Sequence, residues 1–143
     1  MKPKNLKTKI FLDSGDPNET REIIRLLGFL DGQTTNPTLI AKNPEAKKRL
    51  EQGKKFTKKE VFAFYKTVVE EISLLIPKGS ISIEVYADLT TTASQMFTQG
   101  QKMFVWIPNA HIKYPSTVQR LTAAEESVQK GIRINMTLCF SQE

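Results

Sequence analysis

The size and composition of the chain predict one soluble globular domain. It has 143 residues, of which 39% are hydrophobic and 25% charged, a formal net charge of +6 and a single cysteine. This composition is ordinary for a folded protein and excludes bulk disorder. One cysteine cannot build an internal disulfide framework. No apolar run approaches the roughly 20 residues of a membrane span, and MKPKNLKTKI lacks a signal-peptide core, so we expect a cytoplasmic protein without membrane partners.

The positive charge is concentrated between Lys42 and Glu60. This segment holds eight basic and three acidic residues, and therefore most of the net charge. It contains no zinc-finger or homeodomain spacing, so we expect no nucleic-acid partner. The preferred interpretation is a solvated helix–loop surface, although steering of an anionic substrate by these charges stays open.

Strands and helices alternate in the first half of the chain. A strand over Lys9–Asp13 is followed by a helix that starts at Pro17 and ends at Gly28. The predicted apolar face of this helix consists of Ile23, Ile24, Leu26 and Leu27. A second strand covers Gly32–Asn36, and the basic segment after it predicts short helical pieces broken near Pro44 and Gly53.

A capping box, Thr57 with Glu60, then opens a longer helix that stops at Pro77. The strand Ser80–Tyr86 alternates, with Ile81, Ile83 and Val85 on one face and Ser82, Glu84 and Tyr86 on the other. A helix over about Thr92–Trp106 and a strand at His111–Tyr114 follow. The next predicted helix is capped by Ser116 or Thr117 and ends at Gly131, and its inner face consists of Val118, Leu121 and Val128. The last predicted strand covers Ile132–Phe140.

Five strands with a helix in every gap predict an α/β fold with parallel strands and right-handed crossovers. An open doubly wound sheet and part of a (β/α)8 TIM barrel both fit this order. The first strand ends in DSGDP rather than the GxGxxG of a dinucleotide fold. The barrel is therefore favoured, with its first five strands present.

Polar residues recur toward the carboxyl ends of these strands: Asp13, Asn36, Glu84, Lys113, Asn135 and Thr137. In a parallel barrel these ends form one rim, where barrel enzymes place their chemistry. Each residue also has a structural interpretation, because Asp13 could cap a helix, Asn36 could form a turn, and Glu84 and Lys113 could lie on an exposed strand. Their equivalent places in a repeating unit favour a shared site.

A lysine among these groups predicts Schiff-base chemistry. Enclosure in a barrel disfavours the charged form of an amine, and a neutral amine can attack a carbonyl to form an imine. Neighbouring carboxylates can carry the protons that this reaction requires. From the residues alone, the sequence predicts a Schiff-base lyase or transferase that acts on a carbonyl substrate.

The sequence resembles the transaldolase family in five segments: FLDSGDP, DGQTTNPTLIAK, SIEVYAD, NAHIKYPST and GIRINMTLCFS. The resemblance implies a (β/α)8 barrel and class I aldolase chemistry, without a metal or organic cofactor. Lys113 matches the Schiff-base lysine, Asp13 the acid/base at the C4 hydroxyl, and Glu84 with Thr137 the pair that handles a catalytic water. The substrate-binding positions are Asn36, Asn135 and, in the TTNPTLI element, Thr35.

The resemblance also implies the reaction. Relatives that act as fructose-6-phosphate aldolases typically carry glutamine at the position of Glu84, so glutamate favours transfer of a dihydroxyacetone unit between sugar phosphates. This is the transaldolase step of the pentose phosphate pathway. The alternatives are an aldolase-type lyase and a non-catalytic basic binding module. A Cys139–His111 hydrolase is a weaker alternative, because a thiol on a buried strand is usually inert.

The length indicates an incomplete barrel, because a (β/α)8 domain takes roughly 250 residues. Residues 1–143 are therefore interpreted as the N-terminal part of one barrel domain. In this family the serine and arginine that hold the substrate phosphate belong to later strands. We expect the chain alone to have little or no transferase activity. Uncovered sheet edges make homo-oligomers a further expectation.

Overall fold

The computed structural model describes residues 2–139 as an α/β protein with one five-stranded sheet. The strands lie in the order in which they occur along the chain, and every neighbouring pair is parallel. They are β1 (Phe11–Asp13), β2 (Gly32–Thr35), β3 (Ser80–Glu84), β4 (Ala110–Pro115) and β5 (Ile134–Thr137). The helices are α1 (Pro17–Leu27), α2 (Pro37–Lys42), α3 (Pro44–Glu51), α4 (Lys58–Leu75), α5 (Ala93–Phe104) and α6 (Val118–Gln129). This confirms the predicted fold class, the five parallel strands of a partial TIM barrel.

Helix α1 begins and ends where the sequence predicts, but its buried face is different. The Asp16 side chain caps it by accepting from the amide of Asn18, and Gly28 adopts a left-handed φ of 73° at its end. Asp16, and not Asp13, is therefore the cap. The predicted apolar face is wrong at Leu26 and Leu27, which are exposed. Pro17 and Thr20 are buried instead.

The core lies between the outer face of the sheet and the helices. Ile81, Ile83 and Ile112 of the strands are fully buried against Val69 and Ile72 of α4. The capping box of Thr57 and Glu60 is present as predicted. The alternation predicted for β3 is therefore confirmed, because its isoleucines face the helices and its polar side chains face the barrel interior.

The inner face of α6 is also different from the prediction. Val118, Leu121 and Val128 are 81%, 53% and 57% exposed, whereas Ala123, Ala124 and Ser127 are buried. The physical reason is the large Tyr114 side chain on β4, whose hydroxyl lies 2.9 Å from the Ser127 hydroxyl. Small residues let α6 approach this tyrosine closely. Thr117 occupies the cap position without a side-chain capping bond.

The last strand is shorter than the predicted Ile132–Phe140. It ends at Thr137, and Leu138 has a positive φ of 63°, which extended backbone does not adopt. Phe140 lies outside the described residues.

The basic segment runs from the last residue of α2 through α3 and the following loop into the first turn of α4, with breaks at Asn43 and Gly53 close to the predicted ones. All seven of its lysines are exposed. Arg49 of α3 pairs with Glu60 of α4. This hydrogen bond and those from Thr57 hold the pKa of Glu60 at about 2. Because the segment follows the carboxyl end of β2, it begins at the end of the sheet where the carboxyl ends of the strands lie.

Gly100 of α5 sits against the buried side chain of Tyr114. A Cβ at this position would lie 2.2 Å from the tyrosine hydroxyl oxygen and 3.1 Å from Cγ2 of Ile112. Gly100→Ala should therefore lower the free energy of unfolding by about 1–3 kcal/mol, although alanine favours helix by about 1 kcal/mol. Urea denaturation measures this change. Gln101→Ala at the exposed neighbouring position should shift the midpoint little, and equal stability of the two variants would contradict the close approach.

Candidate active site

The carboxyl ends of the strands enclose one polar cavity of about 560 Å³. Its wall is formed by residues of β1, β3, β4 and β5 and of the segments that follow β2, β3 and β5: Asp13, Asn36, Pro37, Thr38, Leu39, Lys42, Glu84, Val85, Tyr86, Ala87, Lys113, Thr137 and Leu138. Five of the predicted site residues, which come from five separate segments of the sequence, therefore line the same cavity.

Lys113 and Glu84 form the central pair of this cavity. They are register partners on the adjacent strands β4 and β3, and the Lys113 Nζ lies 3.2 Å from Oε2 of Glu84. Their side chains are 8% and 19% exposed. An amine that is removed from water to this degree needs a partner, and the glutamate carboxylate is placed to exchange protons with it or with a bound carbonyl.

Asp13 reaches the same cavity from the end of β1. Its Oδ1 accepts a hydrogen bond of 2.5 Å from the hydroxyl of Thr34, its register partner on β2. This bond fixes one carboxylate oxygen. The carboxylate is exposed to the cavity, where it can accept a proton from a substrate hydroxyl.

The two asparagines are held by different partners. Oδ1 of Asn36 accepts from the amide of Leu39 and thereby caps α2. Asn135 is the register partner of Lys113, and its Nδ2 donates to the Ser82 hydroxyl at 3.0 Å. Asn135 is not among the residues that line the cavity, although its register partner Lys113 is. Each amide thus has one group engaged by the protein.

Thr35 is not part of the cavity. Its side chain is fully buried on the helix-facing side of β2, where its hydroxyl donates to the Ser82 carbonyl at 2.8 Å. The hydroxyl also lies 2.7 Å from that of Tyr65, and burial raises the pKa of this tyrosine. The inward threonine is Thr34. The run GQTTN does not alternate between apolar and polar residues, so the sequence carries no signal for which threonine faces inward.

Cys139 and His111 do not form a pair. Cys139 is exposed beyond the end of β5. His111 precedes Lys113 on β4, and burial lowers its pKa. The β4–β5 register places Thr137 beside Pro115, four residues beyond His111, which is about 13 Å along a strand. The two side chains therefore lie at different levels of the sheet.

Two kinds of feature are absent from residues 2–139. No group of three or more His, Cys, Asp or Glu residues there could hold a metal ion. Within the same range, no helix has both the length and the apolarity to cross a membrane.

The fold and this cavity define the class of the protein. It is an α/β protein with five consecutive strands of a parallel barrel, and a buried lysine–glutamate pair stands at the carboxyl ends of its strands.

Comparison with known proteins gives the family. Residues 10–143 match the model of the family described as transaldolase/fructose-6-phosphate aldolase, and the chain belongs to this family. It is 35% identical to a probable transaldolase of Dehalococcoides mccartyi over 133 residues, which are 93% of this chain and 52% of the relative. Probable transaldolases of Sulfurihydrogenibium sp. and Caulobacter vibrioides are each 38% identical, over 93% of this chain and 51% of the relative. The chain thus spans about half the length of these relatives.

The buried pair of Lys113 and Glu84 leads to a prediction about the stability of the chain. Glu84→Gln and Lys113→Met should each lower the free energy of unfolding by about 1–3 kcal/mol, because each leaves one charge without its partner. The double variant should lose less than the sum, with a coupling of at least about 1 kcal/mol. Urea denaturation of the four proteins completes the cycle. The exposed pair Lys66–Glu70 is the control, with a coupling below about 0.5 kcal/mol, and additive losses at Lys113 and Glu84 would contradict the pairing.

Proposed function

We propose that this chain carries the Schiff-base centre of a transaldolase, which transfers a dihydroxyacetone unit between sugar phosphates. The observation that supports this proposal most strongly is the Lys113–Glu84 pair, 3.2 Å apart, in the cavity that Asp13 also lines. A buried amine beside one carboxylate, with a second carboxylate in the same cavity, has the groups that imine chemistry requires.

In the proposed reaction, Lys113 passes a proton to Glu84, and the resulting neutral amine adds to the C2 carbonyl of a ketose phosphate. Glu84, with Thr137 and a water molecule, protonates the resulting carbinolamine hydroxyl, which leaves as water and gives the protonated imine. Asp13 takes the proton of the C4 hydroxyl. The C3–C4 bond then breaks, its electron pair moves into the imine to form an enamine, and C4 leaves as an aldehyde.

The second half of the proposed reaction reverses these steps on an acceptor. The enamine carbon attacks the acceptor aldehyde, Asp13 returns the proton to the new hydroxyl, and water hydrolyses the imine to release the product and Lys113. Asn36 and Asn135 hold the hydroxyls of the dihydroxyacetone unit between the two halves. No metal or organic cofactor enters this scheme, since the protonated imine accepts the electron pair.

The carboxylate at position 84 favours transferase over lyase. Glutamine is typical at this position in fructose-6-phosphate aldolases, whereas here a charged side chain faces Lys113. The proposed activity would place the protein in the cytoplasmic pentose phosphate pathway. A nucleic-acid-binding module is less favoured, because the polar residues converge on a cavity and not on a surface.

The test is reductive trapping. Incubation with dihydroxyacetone and cyanoborohydride, followed by peptide mass mapping, should place an adduct on Lys113 with the mass of the ketose less one oxygen. Dihydroxyacetone has no phosphate, so this test does not depend on phosphate contacts. Lys113→Met should abolish the adduct, whereas Lys130→Met, which removes an exposed lysine, should leave it. Adducts spread over surface lysines and unaffected by Lys113→Met would overturn the assignment.

Turnover by the 143-residue chain should be close to background in a coupled transaldolase assay. The family resemblance assigns the serine and arginine that hold the substrate phosphate to strands after the fifth, and the chain spans about half of its relatives. Without those contacts, trapping of an imine does not lead to efficient transfer. Turnover comparable to that of a full-length relative, measured in the same assay, would contradict this expectation.

A further inference from the structure

Lys42 is a second cation in the wall of the candidate active site. It is the last residue of α2, and it lines both the main cavity and an adjoining cavity of about 260 Å³. The two cavities share Asp13, Leu39 and Lys42. The lysine is also the first residue of the basic segment, which carries most of the net charge of the chain, and it lies where the two cavities adjoin.

The backbone around Lys42 is fixed. Ile40 is 2% exposed and packs in the core, and Asn43 is 5% exposed. The Asn43 side chain donates to the Gly15 carbonyl at 2.9 Å. A Cβ on Gly15 would lie 2.7 Å from the Leu39 carbonyl carbon, so the turn after β1 packs directly on α2. These contacts hold the Lys42 Cα at the cavity, while its side chain is exposed.

The other charged groups of the main cavity are already engaged. Lys113 pairs with Glu84, and Asp13 accepts a hydrogen bond from Thr34. Lys42, by contrast, takes part in no ion pair among residues 2–139. Its ammonium group is thus the available cation at this site.

None of the carboxylates that line the adjoining cavity, those of Asp13, Asp16 and Glu19, forms an ion pair with Lys42 among residues 2–139. The carboxylate of Glu19 accepts a 2.5 Å hydrogen bond from the Ser14 hydroxyl, and that of Asp16 caps α1. Lys47 also lines this cavity and adds a positive charge. A lysine on a flexible stem binds phosphate as a point charge, and its reach suits a group bound at the mouth of the cavity.

We propose that Lys42 binds the phosphate group of the substrate, so that this chain distinguishes phosphorylated from unphosphorylated ketoses. The proposal rests on the proposed function, because it assumes that a sugar phosphate enters the main cavity. Lys42 is then a specificity-determining residue supplied by the connection after β2, in addition to the phosphate ligands expected from later strands.

The test compares fructose 6-phosphate with fructose, which differ only in the phosphate, by NMR chemical-shift titration of the 143-residue chain. Lys42→Gln should raise the half-saturation concentration for fructose 6-phosphate by about fivefold to tenfold and leave that for fructose unchanged. Lys42→Arg should restore most of the affinity for fructose 6-phosphate that Lys42→Gln loses. Lys48→Gln is the matched control, since it removes the same charge from an exposed position on α3 and should change either value by less than about twofold.

Several results would overturn the proposal. One is the absence of a saturable response to fructose 6-phosphate. Another is an equal change in the half-saturation concentrations of both sugars in Lys42→Gln. The third is a change in Lys48→Gln as large as that in Lys42→Gln. Trapping of dihydroxyacetone on Lys113 keeps the two proposals separate, because it requires no phosphate and should be unchanged in Lys42→Gln. Loss of trapping in every protein would count against the proposed function, while the titration alone would still decide the role of Lys42.

Discussion

The structure of the site depends on the pairing of a buried amine with a carboxylate across two parallel strands. The β3–β4 register places Lys113 directly beside Glu84, and the β4–β5 register places Asn135 on its other side. A shift of one residue in either strand would turn these side chains toward the helices. Because an unpaired charge in this position is costly, the chemistry of the site and the alignment of the sheet constrain each other.

The helix-facing side of the sheet uses polar contacts as well as apolar packing. The amide oxygen of Gln33 accepts from Thr20 of α1 at 2.7 Å, and Thr35 contacts Tyr65 of α4. On β4, Tyr114 contacts Ser127 of α6. Each contact links one strand to one helix, so the positions of the helices, and of the loops that line the cavity, follow from satisfied buried groups.

The charged side chains near the carboxyl ends of the strands fall into two groups. Three lysines of the basic segment, Lys42, Lys47 and Lys58, line cavities near the carboxyl ends of the strands, and Lys42 lies in the wall of the candidate active site. The carboxylates are placed within the cavity, where Thr34 orients Asp13 and Lys113 pairs with Glu84. The charges inside the cavity are thus engaged by protein partners, whereas the lysines of the basic segment are exposed.

The sequence by itself determined the succession of strands and helices and the capping box of α4. It also determined the inward direction of Glu84, because β3 alternates between apolar and polar residues. Only the tertiary structure decided which threonine of β2 faces the cavity and which face of α6 is buried. Both strand faces of GQTTN are polar, and α6 is packed through Ala123 and Ala124, so hydrophobicity carried no usable signal there. Contacts with Tyr65 and Tyr114, distant in sequence, supplied the missing information.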